Sequence, residues 1–188
     1  MIKQFIKLSA VAAFAFAFVV APVASAATTA VYDAVPEPLA PSYVSHGFQA
    51  QQTSELGAKI QFAAGERNFD SATVAMNSWA CENGSWNIGD CVTTPGTTYS
   101  QPLTLNIYGV NLDGSLGSEL KTVTQTFNIP YRPSATPTDC GNATQWYNAS
   151  TDTCQNGYNV PVTFDLGDVT LPDQIVFGVE YNTHTAGY

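Results

Sequence analysis

Three runs that alternate apolar and polar residues constrain this chain most: 72–80 (ATVAMNSWA), 103–110 (LTLNIYGV) and 122–129 (TVTQTFNI). Successive side chains of an extended chain point to opposite faces. Period two therefore puts Val74, Met76 and Ala80 on one face of the first run, and Leu105 and Ile107 on one face of the second. Val123, Phe127 and Ile129 share a face of the third. Two further runs follow near the C-terminal end. Val160, Val162, Phe164 and Leu166 alternate with polar residues and Pro161, and Ile175, Phe177, Val179 and Tyr181 alternate with Val176, Gly178, Glu180 and Asn182. No segment from 27 to 188 sustains apolar residues at spacings of three, four and seven, so no helix of consequence is expected.

In chain order, residues 27–42 are rich in Ala and Pro, and Pro36, Pro38 and Pro41 stand too close for a helix. This stretch is a linker or, at Val31-Tyr32-Asp33, a short edge strand. Candidate strands at 44–50 and 58–64 come next. The runs 103–110 and 122–129 are joined through Asn111-Leu112-Asp113-Gly114, an Asp-Gly turn signal, and are expected to pair as a hairpin. Pro130 and Pro133 stop the last of these runs, because proline cannot donate to a ladder. Seven or eight short strands punctuated by Gly and Pro predict an all-β fold over 43–188, an antiparallel β-sandwich, jelly-roll-like, with two long disulfide-bridged loops.

The first 26 residues read as a secretory signal peptide. Lys3 and Lys7 form the basic region, 8–21 is apolar apart from Ser9, and Ala24-Ser25-Ala26 is a small-residue cleavage site. Cleavage leaves 162 of 188 residues, enough for one domain with a real core. It also lowers Lys+Arg from 6 to 4 against 15 acids, a mature charge of −11. Such a surface repels nucleic acid and anionic lipid, and no membrane insertion is expected after cleavage. Export implies an oxidising compartment, so Cys81, Cys91, Cys140 and Cys154 are expected to form two disulfides. Three pairings are possible. The favoured one joins Cys81 to Cys91 and Cys140 to Cys154, each pair bracketing one polar segment. The chain stops just after a strong strand, and continuation beyond Tyr188 into a longer protein is a further expectation.

Catalytic signatures are missing from the pattern. His46 and His184 lie outside any nucleophile-elbow context, and disulfides consume the thiols. Glu55, Glu66, Asp70, Glu82, Asp90 and Glu180 are carboxylates of the kind glycoside hydrolysis uses, yet no linear motif pairs them. Residues 111–122 open like a calcium loop, but Leu116 stands where Gly is required and Thr122 where Glu is required. No cofactor or metal ligand is assigned; a structural calcium held between loops would leave no spacing signal. More informative are the aromatics of the loops. Trp86 lies between Cys81 and Cys91, and Trp146 and Tyr147 between Cys140 and Cys154, where flat rings in braced polar segments suit stacking on a sugar face. The competing expectation is that each ring covers its own disulfide or caps the core.

The stretches 54–62 (SELGAKIQF), 73–81 (TVAMNSWAC), 124–134 (TQTFNIPYRPS) and 162–173 (VTFDLGDVTLPD) together resemble a group of secreted bacterial β-sandwich proteins of unassigned function. The resemblance covers most of the mature chain. It implies extracellular or cell-surface placement and a jelly-roll-like fold, and it brings no activity. One departure is Ala58, where the group carries an acid after the glycine, so no cation-binding or turn-capping role passes to that position. The expectation is a noncatalytic surface or matrix module. The alternative is a carbohydrate-binding module that takes a glycan or cell-wall polymer on Trp86, Trp146 and Tyr147, and a carbohydrate-active enzyme stands third.

Overall fold

The structure, a computed structural model, describes residues 30–36 and 46–181. These form α1 Phe48–Gln51, β1 Glu55–Gln61, β2 Asn68–Ser78, β3 Thr98–Val110, β4 Leu116–Pro130, α2 Pro137–Cys140, β5 Trp146–Asn148, β6 Thr153–Gln155, β7 Tyr158–Thr170 and β8 Gln174–Glu180. Every pairing is antiparallel, and the fold is all-β. Four strands make a sheet in the order β1-β8-β3-β4, β2 pairs with β7, and β5 pairs with β6. The signal peptide lies outside the described residues, as does most of 27–42. Residues 30–36 contain no strand, although Val31 packs against the core.

Register converts the alternation into a core. Leu105 stands opposite Val123 on one side and Val179 on the other, and Val179 stands opposite Leu56. Leu103, Leu105, Ile107, Ile175 and Val179 are buried from the four-stranded sheet, and Val162, Phe164 and Leu166 from β7. Phe127 of β4 meets Phe164 of β7 edge-on at 5.0 Å, joining the two sheets within one apolar cluster. Each such fully buried side chain contributes roughly 1.5–3 kcal/mol. The hairpin of β3 and β4 forms as its turn predicts. Gly114, at φ 83, donates its N–H to Asn111 O at 2.8 Å, a conformation open to glycine at little cost.

One expected strand is not formed. Residues 44 and 45 of the 44–50 run lie outside the described residues, and Phe48–Gln51 is a helical turn in which Gln51 N donates to Gly47 O at 3.0 Å. The ring of Phe48 packs against Tyr181 at 5.4 Å, a contact that an alternating strand signal cannot anticipate. Elsewhere strand bounds shift: β1 runs Glu55–Gln61 where 58–64 is expected, and β2 runs Asn68–Ser78 where the alternation spans 72–80. β3 begins at Thr98, ahead of the 103–110 run, and β7 continues past Leu166 to Thr170.

Candidate functional site

Four strand ends converge on one end of the molecule. Ser78 of β2 stands opposite Tyr158 of β7, and Thr98 of β3 opposite Pro130 of β4. The segments leaving these ends carry all four cysteines, and both favoured disulfides form. Cys81 joins Cys91 with Cα atoms 5.4 Å apart, and Cys140 joins Cys154 at 5.6 Å. The two bridged loops make a head on the sheets.

Inside the first loop, Asn83 and Val92 exchange backbone hydrogen bonds at 3.0 and 2.9 Å, and Asp90 Oδ1 accepts Ser85 N at 2.7 Å. Glu82 accepts Thr94 N at 2.6 Å and Thr97 Oγ1 at 3.3 Å. The backbone N–H of Thr94 holds the Glu82 carboxyl below its usual range. Trp86 packs edge-on against Trp79 with centroids 4.4 Å apart, so the first loop leans on the residue that follows β2.

The second loop is not structureless. It contains α2 and the small β5–β6 hairpin, in which Trp146 faces Gln155 and Tyr147 faces Cys154. Thr136 ties its two sides: Thr136 N donates to Gln145 O at 2.9 Å, and Thr136 Oγ1 accepts Tyr147 N at 2.7 Å. Because neighbouring strand residues point to opposite faces, Trp146 and Tyr147 part company. Trp146 is 6% exposed and donates Nε1–H to Gly157 O at 3.0 Å, with Tyr158 alongside. Tyr147 is 36% exposed and donates its hydroxyl to Asp152 Oδ1 at 2.6 Å. That bond, with the charges of Asp152 and then Asp139, raises the phenol above its ordinary pKa.

Two residues join the loops. Gly157 receives the Trp146 indole on its carbonyl, and a Cβ there would fall 1.7 Å from Asn77 Oδ1 and 2.8 Å from Trp79 Nε1. Arg132 donates its backbone N–H to Ala80 O at 2.9 Å and Nη2–H to Thr144 O at 2.7 Å, reaching both loops from one position.

The three predicted aromatics therefore do not form one platform. Trp146 is spent inside the second loop and Trp86 is half-buried against Trp79. Tyr147 is the ring offered to solvent beside a carboxylate. Three of the six candidate carboxylates hold loop backbone: Glu66 accepts Arg67 N and Asn68 N, Asp90 accepts Ser85 N, and Glu82 accepts Thr94 N. Glu55 lies on the outer face of the four-stranded sheet, where it accepts Asn106 Nδ2 at 3.2 Å and Tyr108 OH at 3.1 Å. Sequence reading missed this network, for which the signal was a glycine inside a strand. A Cβ on Gly178 would fall 2.0 Å from Glu55 Oε1. Asp113, of the calcium-like turn, accepts both Ser115 N and Ser115 Oγ. Among the described residues no three His, Cys, Asp or Glu side chains are placed to hold a metal ion, and no helix is long and apolar enough to cross a membrane.

Comparison with known proteins finds no matching family, no matching curated protein and no matching solved structure.

Proposed function

We propose that this chain is an exported, noncatalytic β-sandwich module, jelly-roll-like, of a cell surface or extracellular matrix, with the disulfide-braced head as its contact surface. The reading rests on one observation above the others. Both disulfides sit on the same end of the strands and fix the loops there before any partner arrives, which lowers the ordering cost of binding. The leader sequence, the acidic mature charge and the resemblance to secreted bacterial proteins point the same way. The test is export of the full chain from a bacterial host with an oxidising periplasm. The secreted form is expected to begin at Ala27, to show no titratable thiol without reductant, and to sediment with isolated cell walls or matrix. Retention of the leader, or free thiols in folded material, would count against the proposal.

The second reading is a carbohydrate-binding module, favoured by Tyr147 rather than by the tryptophans. Its ring is exposed and its hydroxyl is fixed on Asp152, a pairing that suits stacking on a sugar with a carboxylate to take a hydroxyl. On a glycan array Tyr147→Ala abolishes binding under this reading, Trp86→Ala weakens it, and the conservative Trp146→Phe leaves it in place. An empty array with folded wild-type protein refutes it. An enzyme remains the third reading, for which turnover on a polysaccharide panel is the measurement.

A further inference from the structure

Arg132 is fully buried, at 0% exposure, and belongs to the largest buried side chains of the protein. A guanidinium carries five N–H donors and no acceptor. Nη2 is engaged by Thr144 O, but Nε and Nη1 meet no protein acceptor among the described residues. The position cannot relax freely, because the backbone N–H of Arg132 is bonded to Ala80 O. Nor does any carboxylate among the described residues form an ion pair with it. The ion pair among the described residues joins Arg67 to Asp173, beside the start of β2 and the end of β7, at the opposite end of these strands from the head.

We propose that the Arg132 guanidinium binds a small monovalent inorganic anion of the halide class inside the head. Burial lowers the pKa of this group, yet arginine begins so far above neutrality that it stays charged. A buried charge without a counter-charge is among the most unfavourable arrangements a fold can contain. Water alone would accept the free N–H groups and leave the charge standing. An anion satisfies both, with a charge-assisted hydrogen bond of the stronger kind. Full burial limits the ligand to a small ion, and the acidic surface disfavours multiply charged anions on the way in. Such an ion, held where Arg132 reaches both loops, locks the head.

Thermal melting of the full oxidised chain in sodium chloride and in sodium gluconate, at equal ionic strength, tests the proposal. Chloride at about ten times its Kd is expected to raise Tm by about 5 °C, saturably, while gluconate does not. Arg132→Met, similar in length but uncharged, is expected to melt at one temperature in both salts. Equal melting of the wild type in the two salts overturns the proposal, as does a chloride effect that survives in Arg132→Met. Where that variant does not fold, a crystal grown in sodium bromide decides. An anomalous peak beside Nε or Nη1 supports the site, and its absence overturns it.

Discussion

Replacing Gly157 by alanine tests whether the head is packed as described. Gly157 does not have a positive φ, so an alanine there meets no backbone penalty and the whole cost is space. The new Cβ would fall 1.7 Å from Asn77 Oδ1 and 2.8 Å from Trp79 Nε1. Neither neighbour is free to leave. Asn77 Nδ2 donates to Asn159 Oδ1 across the β2–β7 pair, Trp79 is packed against Trp86, and the carbonyl of Gly157 holds the Trp146 indole. Overpacking costs about 1–3 kcal/mol, and losing one of these hydrogen bonds adds about 0.5–1.5 kcal/mol, so a destabilisation of about 2–4 kcal/mol is expected. The assay is urea unfolding of the oxidised protein followed by tryptophan fluorescence, with Gly109→Ala as the control. At Gly109 the nearest atom to a new Cβ is 3.7 Å away, and a change within about 0.5 kcal/mol is expected. Adding Asn77→Ala to Gly157→Ala is expected to recover part of the loss, since it removes the nearer obstacle. Equal stability of Gly157→Ala and Gly109→Ala would refute the packing.

Cys140→Ser with Cys154→Ser opens a loop of sequence separation 14 and is expected to cost about 3 kcal/mol by the chain-entropy estimate; urea midpoints of the two forms measure it. Burial pushes the Tyr181 phenol up to about 12, so its protonated form is favoured in the folded state. Its contribution is complete below the unfolded value near 10 and is lost as pH rises through 10 to 12. Tm measured at pH 9, 10 and 11 is expected to fall less in Tyr181→Phe than in the wild type, and identical slopes would contradict the assignment. Trp146→Ala removes a buried indole and its bond to Gly157, with an expected loss of about 3–5 kcal/mol in the same unfolding assay.

What was legible in the sequence was whatever one strand decides by itself. Leu103, Leu105 and Ile107 alternate because β3 buries one face, and the polar residues between them announce the other. The sequence left three cysteine pairings open, and the favoured one forms, each bridge closing within one segment. Elements of three or four residues escaped, because α2, β5 and β6 are shorter than any period can show. Contacts between segments escaped as well. Glu55 finds Asn106 and Tyr108 more than fifty residues away, with only Gly178 to hint that a side chain must lie across the sheet. The fate of Trp146 and Tyr147 illustrates the limit most sharply. As loop residues they looked like two rings on one surface, but a three-residue strand sends one inward and the other outward. A site built from loops therefore depends on the local strand register, and here that register buries Trp146 and leaves Tyr147 exposed beside Asp152.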